Sequence, residues 1–239
     1  MIEETPKYPK PEEAKIVVSY SPPKMDGLLW PTIISIILHP LLMGVYTVSL
    51  LFLYTDFNLL FAGQFIQFIS PVLFLTCIVP VSGMYFLQRS GLMKRYGDGN
   101  TFDRLLPMLL LFFTYSLLIY YFHSAKLFIW FLAVLTVPLV LIVTASIISI
   151  KWRISLHMLA IGGMIGSTLS VCYNIKGVNP FILFIILFIL AGLLGVARLI
   201  PGKETPAQVY TSFLIGLVVS FICVWLGAYW GIIMFLKNL

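Results

Sequence analysis

The chain has 239 residues, 60% of them hydrophobic and 10% charged, with a net charge of +6 and a mean hydropathy of +1.02. Soluble domains carry about 25% charged residues, so a water-soluble globule, which could not hide this much apolar surface, is excluded. With about 20 apolar residues needed per crossing, the composition predicts an all-α, polytopic membrane helical bundle.

Residues 1–28 read as a polar, Pro-rich cytoplasmic tail, ahead of a single transmembrane domain over 29–239. Pro6, Pro9, Pro11, Pro22 and Pro23 remove backbone donors and restrict the residues before them, so the tail is expected to be extended. A protein partner is one candidate to engage it. Its mixed charge comes before any apolar run, the reverse of a secretory signal.

Seven apolar runs follow, near 29–53, 66–87, 105–122, 127–150, 156–172, 180–197 and 208–235. They predict about seven transmembrane helices, or six if 156–172, interrupted by glycines and hydroxyls, is a buried or half-crossing segment. Pro40, Pro71, Pro80 and Pro138 predict kinks, which membrane helices tolerate where neighbours satisfy the freed carbonyls. Gly162 with Gly166, and Ala191 with Gly195, are small residues four apart, a spacing that lets helix backbones approach closely. Cys77, Cys172 and Cys223 show no paired spacing, and His39, His123 and His157 have no ligand-like partner at helical spacing. Neither a disulfide framework nor a metal or cofactor is expected.

Short basic loops stay in the cytoplasm, so Lys and Arg fix the orientation. If all seven runs cross, one side receives twelve of them, including Lys7, Arg89, Arg104, Lys151, Arg153 and Arg198, and the other receives Lys126, Lys176 and Lys237. This places the N-terminus in the cytoplasm and the C-terminus outside, in what is read as a bacterial inner membrane. Membrane lipids are the expected partners, and nucleic acid is not.

The same side collects three polar clusters: Thr101–Pro107, Lys151–His157 and Arg198–Gln208. Ionisable groups at membrane depth are costly and usually face a cavity. Arg104, Lys151, Arg153, Arg198 and Lys203, with Ser155 and His157, make a mixture suited to phosphate. Basic residues at helix ends also simply snorkel to headgroups, which competes for Lys151 and Arg153. Arg198, ahead of a Pro-Gly turn and Glu204, reads as a site or a salt bridge. His39 and His123 read as structural or interfacial.

Ile154-Ser155-Leu156-His157 resembles the second motif, P-S-G-H, of the type-2 phosphatidic acid phosphatase superfamily. Ala197-Arg198, five residues, Glu204, three residues, Gln208 follows the spacing of its third motif, S-R, five residues, H, three residues, D. The resemblance covers about Lys151 to Gly216. It implies that Ser155 and Arg198 bind phosphate, with Lys151 and Arg104 as further cations, and that His157 protonates the leaving group. Glu204 then occupies the position of the nucleophilic histidine and Gln208 that of the aspartate orienting it. A carboxylate close to a phosphate repels it by roughly 4 kcal/mol at an effective dielectric of 20, and Glu204 would more naturally neutralise Arg198 or Lys203.

The expected function is therefore a lipid-phosphatase-like membrane protein that is catalytically degenerate, a pseudoenzyme serving as a membrane-complex subunit or a lipid-headgroup binder. An active phosphatase or phosphotransferase on a lipid phosphate or polyprenyl pyrophosphate is the alternative, since carboxylate nucleophiles exist. A transporter or channel finds little support, because Asp56 is the sole acid on the expected outer side.

Overall fold

The structure is a computed structural model that describes residues 29–91, 101–202 and 204–237; the N-terminal tail with its expected partner, Lys203 and the side chain of Arg104 lie outside the described residues. Regular structure among the described residues is entirely helical. Six helices are long and apolar enough to cross a membrane, and a bent pair makes up to seven.

The bent pair is α1 (Trp30–Ile37) and α2 (Pro40–Tyr54), turned by 57° where the sequence predicts one kinked run over 29–53. Pro40 disfavours the helical conformation at the residue before it, and His39 is extended, with φ −71° and ψ 141°. Pro40 then opens α2 at a position where its missing N–H costs nothing. The His39 ring caps the new helix, Nδ1 accepting from the Leu41 N–H at 3.3 Å. The kink expected at Pro40 is therefore a full break.

After the one-turn α3 (Phe57–Leu60), α4 (Phe65–Leu73) and α5 (Val79–Arg89) run on as one 25-residue helix. A π turn over Phe74–Ile78 joins them. Pro71 and Pro80 flank that turn, and each withdraws a donor from the helical ladder.

The helices α6 (Thr101–Ser124) and α7 (Ile129–Ser149) form an antiparallel pair. Next, α8 (Leu156–Ser170) continues through a second π turn, Val171–Ile175. Two apolar helices close the fold: α9 (Phe181–Leu199) and α10 (Pro206–Lys237).

The run expected to be the weakest crossing is the core of the bundle. Leu156–Ile175 spans 20 residues and is 72% buried, against 22–39% for the other five. At 1.5 Å per residue its length matches a hydrocarbon core of about 30 Å. Its small residues are what place it there. A Cβ on Gly162 would meet the Phe213 carbonyl oxygen of α10, one on Gly166 the Leu217 carbonyl oxygen and the Ser220 hydroxyl, and one on Gly216 the Leu159 carbonyl oxygen. Thus α8 and α10 touch backbone to backbone, the contact that replaces hydrophobic driving force between helices in lipid. The hydroxyls that interrupt the run are satisfied within it: Ser167 donates to the Gly163 carbonyl and Thr168 to the Met164 carbonyl, both at 2.8 Å. The pair Ala191 and Gly195 packs more loosely, with Val209 and Met158 at 3.5 and 3.6 Å from a Cβ on Gly195.

Candidate functional site

The candidate site forms where α8 and α10 begin, α9 ends and the α1–α2 break lies. Each of its residues is set by a local signal. Arg198 occupies the last turn of α9, where a cation complements the helix dipole. The chain reverses through Pro201 and Gly202, whose φ of +67° suits glycine. Beyond the turn, the Glu204 carboxylate returns to Arg198: Oε1 accepts from Nε at 3.0 Å and from Nη2 at 2.6 Å.

This ion pair is mostly shielded, with side chains 22% and 14% exposed. The second carboxylate oxygen, Oε2, is buried without a hydrogen-bond partner among the described residues. One oxygen therefore carries both charge-assisted bonds, where a bidentate fork would have used two.

Gln208 has a local task. Its side-chain Oε1 accepts from the Thr205 N–H at 2.9 Å, while Thr205 Oγ1 accepts from the Gln208 N–H at 3.3 Å. That reciprocal pair is a capping box, with Pro206 placed as the first helical residue. Two of the positions that carry the third-motif resemblance thus have structural partners: Glu204 holds Arg198, and Gln208 starts α10.

Ser155 is 1% exposed and also caps a helix, its Oγ accepting from the Met158 N–H at 3.4 Å. Its own N–H donates to Ser212 Oγ at 2.9 Å, and the Ser212 hydroxyl in turn donates to the Gln208 carbonyl. This relay ties the start of α8 to the start of α10. The Ser155 hydroxyl faces its own helix.

His157, in the first turn of α8, lies against His39 from the α1–α2 break. The rings are 5.4 Å apart between centroids and nearly perpendicular. Arg198 is near enough to both imidazoles for its charge to act on them. The sequence reads His39 as structural or interfacial, and its ring does cap α2; its contact with His157 is what the sequence reading did not place. The available signal was the proline behind it, because a polar residue forced out of helix at the break of an apolar run is placed to cap the helix that follows.

Among the expected site residues, Arg198 and Glu204 are paired, His157 lies against His39 within range of the Arg198 charge, and Ser155 caps α8 two residues before His157. Lys151 and Arg153 are exposed on the turn between α7 and α8, with no ion pair among the described residues. Arg104 falls in the first turn of α6, its side chain outside the description. His123 is exposed at the far end of α6. Chemically the cluster offers two imidazoles and one guanidinium whose charge is already matched by a carboxylate. No protein family, characterised protein or solved structure was found to match this chain.

Proposed function

We propose that this chain is a catalytically silent, divergent member of the type-2 phosphatidic acid phosphatase superfamily, acting as a membrane-complex subunit or lipid-headgroup binder. The observation that carries the reading is the Arg198–Glu204 ion pair. In the resemblance, Arg198 clamps phosphoryl oxygens and an imidazole at position 204 attacks phosphorus. Glu204 removes the imidazole and fills the guanidinium that a phosphate would need, so one substitution disables both binding and attack. Exposed Lys151 and Arg153 remain available to anionic headgroups. The distribution of basic residues, twelve against three, supports a cytoplasmic N-terminus and an outer C-terminus in a bacterial inner membrane.

Reconstitution into liposomes containing phosphatidate or a polyprenyl pyrophosphate tests this. The expected result is phosphate release no faster than from protein-free liposomes. Robust release that disappears in Glu204→Ala would overturn the silent reading.

The second reading, an active phosphatase or phosphotransferase, draws on the His39–His157 contact, which supplies a second imidazole within range of the Arg198 charge although position 204 lacks one. It expects release that survives Glu204→Gln and is lost in both His157→Ala and His39→Ala.

A further inference from the structure

We propose that a cavity within the membrane-spanning part of the bundle is a binding site for a small neutral lipophile bearing one hydrogen-bond-accepting oxygen, held by the Tyr115 hydroxyl. The cavity lies between α2, α4, α6, α7 and α8 and measures about 120 Å³. An engineered apolar cavity of about 150 Å³ accepts benzene, so the space suits a single ring or a short chain segment. This inference is independent of the polar cluster around Arg198, whose residues do not line the cavity.

The lining decides the charge of the ligand. Its walls are mainly Leu, Val, Met and Pro, and no Lys, Arg, Asp, Glu or His contributes. An ionic ligand would lose its hydration with no countercharge to meet it, which excludes phosphates and carboxylates. A neutral molecule that partitions into the bilayer has no such penalty.

The polar groups decide the rest. Three hydroxyls line the cavity, on Thr47, Ser167 and Tyr115. The first two donate within their own helices, Thr47 to the Met43 carbonyl at 2.7 Å and Ser167 to the Gly163 carbonyl at 2.8 Å. Tyr115 is 5% exposed, and its hydroxyl makes no hydrogen bond among the described residues. It is seated against Gly44, where an added Cβ would come within 2.7 Å of the hydroxyl oxygen. A donor on an otherwise apolar cavity wall is free to meet a ligand, and the complement to this one is an acceptor oxygen such as a ketone or ester carbonyl.

The walls are also able to adjust. Pro40 stands at the α1–α2 break, Pro138 lies inside α7, and Val72 lies two residues before the π turn. Prolines and π turns are where helices bend and where π turns mark functional sites.

Fluorine NMR on the full chain in detergent micelles, with para-fluoroacetophenone and para-fluoroethylbenzene as probes, tests the proposal. The two differ in the carbonyl oxygen, and a protein-bound fluorine resonates apart from the micellar pool. The wild type is expected to bind the ketone about fivefold more tightly, the worth of one hydrogen bond. Tyr115→Phe should abolish that preference and leave binding of the hydrocarbon intact. Ala145→Leu, at a cavity-lining position 1% exposed, should abolish binding of both. Equal affinities in the wild type, a preference that persists in Tyr115→Phe, or no bound resonance for either probe would overturn the proposal. If Ala145→Leu does not fold, Tyr115→Phe still decides, since it removes a single oxygen.

Discussion

At one end of the bundle Phe57 sits fully buried among Phe52, Phe61, Phe68, Trp130 and Phe131, with ring centroids 4.8–5.5 Å apart. At the other end Arg198, Glu204, His39 and His157 meet among helix termini. The aromatic end gathers the close of α2, all of α3, the start of α4 and the junction of α6 with α7. It holds them by contact area and edge-to-face geometry. The polar end uses caps, a serine relay and one ion pair. Each end also carries an ion pair, and the difference between those two pairs separates a supporting role from a rim ornament.

The sharpest test of the aromatic end is Phe57→Ala. It removes the ring at the centre of the cluster, and such truncations cost about 3–5 kcal/mol. Thermal unfolding in detergent should show the largest loss among the substitutions considered for either end. A loss under about 1 kcal/mol would mean that the rings are a loose cap.

Between the ends, Gly166→Ala tests the seam of α8 and α10. The new methyl meets the Leu217 carbonyl oxygen and the Ser220 hydroxyl, and overpacking of this kind costs about 1–3 kcal/mol. The top of that range is expected, because one of the obstacles is backbone. Gly192→Ala is the matched control: nothing lies within 4 Å of its Cβ. There the better helix propensity of alanine should leave stability unchanged or slightly raised.

That contrast also marks what the residues made legible. The small-residue spacing of Gly162 and Gly166 predicts close backbone approach, and the fold places it against α10. The same glycines, read by hydropathy, left 156–172 open as a buried or a half-crossing segment, and the fold shows the buried one. Low hydropathy there reflects burial against protein, since a helix surrounded by other helices has no lipid to face. The proximity of Arg198 and Glu204 could be read directly, because six residues and a Pro-Gly turn bring them together. The His39–His157 contact could not, since it depends on how the broken α1–α2 pair docks against α8. The Tyr115 cavity has no sequence signature either, being a property of five packed helices.

At the polar end, Glu204→Ala leaves the Arg198 guanidinium without its carboxylate. A fully buried pair broken on one side costs about 3–5 kcal/mol. With 22% of the Arg198 side chain still exposed, water recovers part of that, and about 2 kcal/mol is expected. Part of the usual gain is already absent, because Glu204 Oε2 has no partner among the described residues. A neutral outcome in the unfolding midpoint would show that Arg198 finds other acceptors, and that the polar end rests on its caps alone.

The smallest effect is expected at the aromatic rim. Lys176 reaches Asp56 at 3.6 Å and lies 5.1 Å from the centroid of the Trp130 ring. Asp56 is 63% exposed on its side chain, so its attraction for Lys176 is screened and offset by the entropy of fixing two side chains. Asp56→Asn should therefore change stability by no more than about 0.5 kcal/mol. The Trp130 ring retains Lys176 in either case, because a cation over an aromatic face needs no carboxylate. Measured beside Glu204→Ala across a range of salt concentrations, the Asp56 effect should vanish at high salt while the Glu204 effect persists. Equal losses and equal salt sensitivity would erase the distinction between the two pairs, and the polar end would then hold together by the same weak surface electrostatics as the rim.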